Sequence, residues 1–115
     1  MGTELSFDTL QKFFSEEEFV LGTIQQIHKD LSGLVALDHD LKVDFTADIY
    51  PQLEAHLQEL FLKMNDQLIQ QFVYKVDLKE YDFLNALSAQ DDYRKLCFLI
   101  IQREAQKVYF KRQYS

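Results

Sequence analysis

The densest cluster of metal-capable side chains in this 115-residue chain is Asp38-His39-Asp40, with Asp44 just beyond it. A calcium loop needs oxygen ligands at alternating positions, a glycine at the sixth and a glutamate at the twelfth. Counted from Asp38, the fifth position is Lys42, the sixth Val43 and the twelfth Ile49, so the pattern fails. A looser site built on His39 and the flanking carboxylates is the alternative to a solvated acidic loop. Without ligand spacing the loop reading leads.

The other chemistry-bearing residues are sparser. A carboxylate-bridged di-iron bundle requires Glu-x-x-His pairs, but Gln25 and Leu53 stand three before His28 and His56. His28 falls at the border of an apolar stripe and His56 off one, so both read as boundary or surface residues. Glu16-Glu17-Glu18 suits the positive end of a helix dipole. Cys97 is the only cysteine, so no disulfide forms within the chain. It sits in Leu96-Cys97-Phe98-Leu99-Ile100-Ile101, where a small buried hydrophobe is expected and a thiolate nucleophile is not. No Gly-x-Ser-x-Gly, phosphate-cradling glycine loop or dinucleotide fingerprint occurs. The expectation is a non-enzymatic chain with no catalytic, cofactor-binding or metal residues and no cofactor.

Charge offers a further candidate. The net charge of −7 divides into −9 over residues 1–60, −3 over 61–93 and +5 over 94–115. Within the basic segment Arg103, Lys107 and Lys111 recur every four residues and would stack along one helical face. This is the candidate interaction ridge. The segment Lys107-Val108-Tyr109-Phe110-Lys111-Arg112-Gln113-Tyr114 also interleaves bases with aromatics, as single-strand binders do. An acidic domain weighs against nucleic acid. A basic helix folded onto the acidic first half of the chain accounts for the same asymmetry without any ligand.

The elements that must position these residues are helices. Three glycines and one proline are all the breakers present, against roughly a dozen at average usage. Ser6 reads as the N-cap of a short helix carrying Phe7, Leu10, Phe13 and Phe14. Ser15 with Glu18 resembles a capping box, followed by Val20, Ile24, Ile27 and Leu31 at helical spacing and Gly33 at the C-cap. Residues 34–47 read as a partly extended connector that tucks Leu41, Val43 and Phe45 under the bundle. Asp48 caps a long helix over 49–75 whose main stripe runs Ile49, Leu53, Leu57, Leu60, Phe61, Met64, Leu68 and Phe72. A second stripe of Leu62, Ile69, Val73 and Val76 is either more core or a candidate interface. That helix is expected to be central. Asp77 with Glu80 then starts a short helix with Tyr81, Leu84 and Leu87 as its apolar set. Ser88 with Asp91 starts the last, which is apolar all round over 96–101 and leaves the core beyond Gln102.

The fold expected is all-α, a single domain over 1–115. It is an antiparallel bundle of four to five helices with one longer connection at about 32–47. Met1–Phe19 lacks a basic start and carries acids, so no secretory leader is expected. The longest apolar run is six residues, well short of a membrane span. The functional expectation is a small cytoplasmic protein acting through protein–protein contacts, with a protein partner or with itself as a homodimer. The alternative is an anion- or nucleic-acid-binding regulator using the basic C-terminal helix.

Overall fold

With so few glycines and prolines, the helix ends in this chain are set locally, some by a side chain and some by a backbone turn, and they differ from the sequence expectation in instructive ways. The computed structural model describes residues 7–34 and 42–114. Among these lie six helices and no strand: α1 (Phe7–Phe13), α2 (Glu17–Leu31), α3 (Ile49–Lys63), α4 (Asp66–Val76), α5 (Glu80–Ser88) and α6 (Arg94–Tyr114). The Ser6 cap, Leu41 and the Asp38-His39-Asp40 cluster fall outside the described residues.

The first two helices are separate, but the expected capping box is not the cause. Ser15 Oγ donates to the Lys12 carbonyl at 2.6 Å, so Ser15 closes α1 instead of opening α2. The N-cap of α2 is Glu16, without a side-chain cap. At the far end Gly33 takes φ 84°, the left-handed step that a glycine adopts without steric cost. In the connector, Val43 packs on the core while Phe45 stays exposed, so only part of the expected tuck forms. Its exit is braced by Gln52, whose amide donates to the carbonyls of Asp44 and Asp48 and whose oxygen accepts from Asp44 N–H.

The expected long helix is two. Met64 turns to extended backbone, and Asn65 Oδ1 accepts from Leu68 N–H at 2.8 Å, capping α4. An asparagine at N-cap satisfies one of the free N–H groups a new helix start creates. The uninterrupted apolar stripe hid this break, because two consecutive helices packed on one core keep their apolar residues in similar phase. This raises the helix count from the expected four or five to six. Asp77 also changes role. It closes α4 in the left-handed conformation, φ 70°, with its N–H on Val73 and Tyr74 and Leu78 N–H on Val73, and it does not cap α5.

The central element is α6, not the expected 49–75 segment, since α1 to α5 all pack against it. Leu96, Cys97, Ile100 and Ile101 are fully buried there, each aliphatic side chain contributing about 1.5–3 kcal/mol by leaving water. Asp91 Oδ2 accepts from Lys95 N–H at 3.0 Å and starts this helix. Its companion Ser88 instead bonds back to Asn85. Where α2 crosses α6, Gly22 lies so close that a Cβ would stand 3.1 Å from Val108 Cγ1. The crossing is therefore set by the absence of a side chain at Gly22. The buried apolar residues of the helices join in one cluster. The radius of gyration of 13.5 Å agrees with the roughly 13 Å of a compact chain of this length.

Candidate functional site

The three ridge residues lie along α6 as the spacing predicts, but each is turned onto a neighbouring helix. Arg103 reaches Asp77 at the end of α4 at 3.1 Å and Gln106 at 2.9 Å. Lys107 reaches Asp30 on α2 at 2.8 Å, and also the Lys75 carbonyl at 3.1 Å. Lys111 donates to Gln26 Oε1 on α2 at 2.7 Å. Arg112 continues the pattern beyond the ridge. It lies 3.5 Å from Glu16 and 3.4 Å from Glu18, with its guanidinium 5.3 Å from the centre of the Phe19 ring. Much of the basic segment is thus folded onto acids and amides of this chain. The expectation that α6 leaves the core after Gln102 is corrected by the same geometry: Glu104, Ala105, Gln106 and Val108 are all buried.

Behind the ridge lies a group of buried polar residues the sequence reading did not single out. Thr23, Gln26 and Asp30 on α2 and Glu104 and Gln106 on α6 are all buried. Lys107 joins Asp30 to Glu104 across the α2–α6 seam, while Gln106 turns to Arg103 on the side of α4 and α5. Thr23 is satisfied by its own helix, donating to the Phe19 carbonyl. Glu104 is not so simply satisfied. It is 0% exposed, and as a carboxylate neither of its oxygens has a well-aligned donor. The Lys107 ammonium stands 3.1 Å from Oε1. A proton on Glu104 resolves the conflict, because the acid can then donate to Asp30. Burial and that carboxyl–carboxyl hydrogen bond push the Glu104 pKa up to about 9, against the opposing pull of Lys107. Only Glu104's spacing of three before Lys107 signalled this in the sequence, and on an exposed helix that spacing marks an ordinary surface pair.

The second stripe divides. Ile69, Val73 and Val76 are buried in the core, so these three candidate interface residues are corrected to core, while Leu62 stands exposed on α3. A different apolar face is turned outward. In α5 the buried residues are Phe83 and Ala86. Tyr81, Leu84 and Leu87, expected inside, are 77%, 55% and 39% exposed. This nine-residue helix carries two apolar stripes, and α6 covers the one bearing Phe83, whose ring, unlike that of Tyr81, has no hydroxyl to satisfy. A signal is present in the sequence: Phe83 and Ala86 share the three-residue step of Tyr81, Leu84 and Leu87.

Beside Leu87 the α5–α6 turn forms a cleft of about 330 Å³ with Ala86, Gln90, Asp91, Asp92 and Tyr93. Gln90, Asp92 and Tyr93 all hold positive φ, at 51°, 57° and 66°. Such conformations cost non-glycine residues energy and persist only where the surroundings impose them. Here Gln58 donates to the Asp92 carbonyl and the Tyr93 ring packs 5.3 Å from Phe61. The turn is held in place from α3.

The remaining sequence candidates are dispersed. Cys97 is buried, its Sγ 3.9 Å from the Glu54 carbonyl, and burial first, then the nearby Glu54 and Asp91, pushes the thiol up to about 12. His56 contacts the Lys42 carbonyl at 3.3 Å. Asp44 accepts from both the N–H and hydroxyl of Thr46, which holds its carboxyl below the usual range. Among the described residues no group of three His, Cys, Asp or Glu side chains is placed to hold a metal, and no helix is long and apolar enough to cross a membrane. No protein-family model matches the chain, and no curated protein or solved structure matches it.

Proposed function

We propose that this is a cytoplasmic, non-enzymatic helical protein that works through protein–protein contacts, with the outward face of α5 as the contact surface. The observation that carries the reading is the exposure of Tyr81, Leu84 and Leu87 on one side of a helix whose other side is packed. Isolated exposed apolar residues are ordinary, but a contiguous row marks a surface that other proteins cover. The sealing of Glu104 supports the non-enzymatic part. The most perturbed carboxyl is wholly enclosed, so no substrate meets it unless helices part.

The test is photo-crosslinking from a benzophenone residue placed at position 84, compared with the same residue at the exposed Gln70 of α4. Adducts specific to position 84, competed by wild-type chain and not by Leu84→Ser chain, are expected. Equal labelling at both positions, or competition unaffected by Leu84→Ser, overturns the reading.

The anion- or nucleic-acid-binding alternative needs the ridge bases free to meet phosphates. Arg103 and Lys107 are ion-paired within the chain, and Lys111 is hydrogen-bonded. Retention on single-stranded DNA at low salt that is lost in the Arg103→Gln/Lys107→Gln/Lys111→Gln chain would restore it.

A further inference from the structure

We propose that the cleft between the α4–α5 joint and α6 binds a small zwitterion of the α-amino-acid class. Asp77 closes α4 in the left-handed conformation, and only Leu78 and Lys79 separate it from the first residue of α5. This joint and Asp82 form one side of the cleft. Leu99, Arg103 and Gln106, spaced to share one face of α6, form the other. The volume of about 360 Å³ lies at the small end of the range for ligand sites. Leu78 and Leu99 are half-buried against the core and supply apolar walls.

Two polar groups are held in place before any ligand arrives. Gln106 is only 6% exposed. Its Oε1 accepts from Arg103 Nη1 at 2.9 Å, which leaves the Nε2 donors for the cleft that Gln106 lines. Arg103 also donates through Nη2 to Asp77 at 3.1 Å. These two bonds fix the guanidinium, and a guanidinium has further N–H donors to offer. A fixed guanidinium beside a buried amide presents converging N–H groups, which suits a carboxylate. The Arg103–Asp77 pair gives way at little cost, because Asp77 is 77% exposed and exposed pairs are weak.

Charge decides the class of ligand. The ionisable residues lining the cleft are Asp77, Lys79, Asp82 and Arg103, two of each sign. Neighbouring bases are turned elsewhere, Lys75 to the Ser32 carbonyl and Lys107 to Asp30. Glu80 is exposed and does not line the cleft. A simple anion would gain from Arg103 and Lys79 but stand against both aspartates. A simple cation would meet the reverse. A molecule with a carboxylate and an ammonium on one carbon satisfies both signs at once. Its carboxylate would take Arg103 and Gln106, its ammonium Asp82 and Asp77, and its side chain the two leucines.

The test follows the backbone amides of the isotope-labelled full chain by NMR while L-leucine, leucinamide or isocaproate is added. At about pH 7 leucine carries both charges, leucinamide lacks the carboxylate and isocaproate lacks the ammonium. We expect L-leucine to shift amides of the α4–α5 joint and of α6 around Arg103, saturating with a Kd of about 1 mM or below. It should bind at least about tenfold tighter than either analogue. Arg103→Gln and Asp82→Asn should each weaken leucine binding by about tenfold or more, while Lys12→Gln on α1 should leave it unchanged. The same spectra show that each variant is folded, and the analogue comparison uses the wild-type chain alone. No saturable shift with L-leucine overturns the proposal. So does equal binding of either analogue, or leucine binding indifferent to Arg103→Gln. Tyr81, Leu84 and Leu87 line none of this cleft, so the protein-contact reading stands or falls on its own test.

Discussion

Lys107 donates to Asp30 at 2.8 Å and thereby ties α6 to α2 across 77 positions of sequence. The pair is mostly buried, with side-chain exposures of 18% and 11%. Arg103–Asp77 differs, because Asp77 is exposed. Breaking a buried pair strands a charge in a poor solvent and costs about 3–5 kcal/mol, whereas an exposed pair is worth about 0–1 kcal/mol. Lys107→Met should therefore lower the urea midpoint far more than Arg103→Gln, although the two bases look equivalent on one helical face. Similar losses for both would mean that the seam is wet and its charges screened.

Glu104 supplies a pH dependence of definite sign. Its pKa rises from an ordinary 4.5 to about 9 in the folded chain, so the folded state holds this proton more tightly than the unfolded state. The group's contribution to stability is full below about pH 4.5 and is lost as pH climbs toward 9. Glu104→Gln mimics the protonated acid and removes that dependence. Between about pH 5 and pH 8.5 the wild-type melting temperature should fall relative to the variant. The gap should reach several degrees at the alkaline end, at about 4 °C per kcal/mol for a chain of this size. Parallel melting curves across that range would mean Glu104 is ionised in the fold.

How far the sequence revealed this arrangement depends on which physical signal each feature leaves. The all-helical fold was legible from breaker scarcity and the apolar stripes, as was the burial of Leu96, Cys97, Ile100 and Ile101, while Phe98 and Leu99 in the same run are only partly buried. The basic row on α6 was legible as a row, and the charge asymmetry offered its folding onto the acidic first half as one of two readings, but the particular partners were not, because sequence spacing says which residues share a face and not what that face meets. Glu104 was missed for the same reason: a Glu three before a Lys looks identical on a solvated helix. The α5 face was inverted because Phe83-Ala86 and Tyr81-Leu84-Leu87 are both apolar at helical spacing. Which of them goes inside is decided by the shape of α6 opposite.

The break between α3 and α4 tests a local cause. Asn65 is the one residue whose side chain satisfies the start of α4, through the Leu68 N–H. Asn65→Ala should cost about 1 kcal/mol, and Asn65→Gly only a few tenths, since glycine tolerates the extended backbone and lets water reach the free N–H. Denaturant unfolding of the two variants measures the difference. Equal losses would place the cause of the break in tertiary packing at Met64.

Cys97 should behave as a hydrophobe. It is buried beside Leu96 with its thiol pushed up to about 12, and reactivity needs both exposure and thiolate character. A thiol reagent added to the native chain at about pH 8 should react only as fast as the chain opens, and promptly once denaturant is present. Fast native labelling would mean that the centre of α6 opens without global unfolding.

The two faces of α5 should respond to mutation in opposite ways. Phe83 and Ala86 are the buried residues of that helix, and α6 is the helix it chiefly packs on. Phe83→Ala removes most of that seat. A buried Phe→Ala change ordinarily costs about 3–5 kcal/mol, but here the loss can be relieved by releasing one short helix while the core stays closed. Hydrogen exchange should then show faster exchange confined to α5 and its flanking turns, with α6 near Ile100 still protected, the pattern of local opening. Leu84→Ser, on the exposed side, should change global stability by no more than about 0.5 kcal/mol and leave exchange in α5 nearly as it was. If Leu84→Ser destabilises α5 as much as Phe83→Ala does, Leu84 belongs to the packing of this chain. The outward row would then be too short to serve as a contact surface.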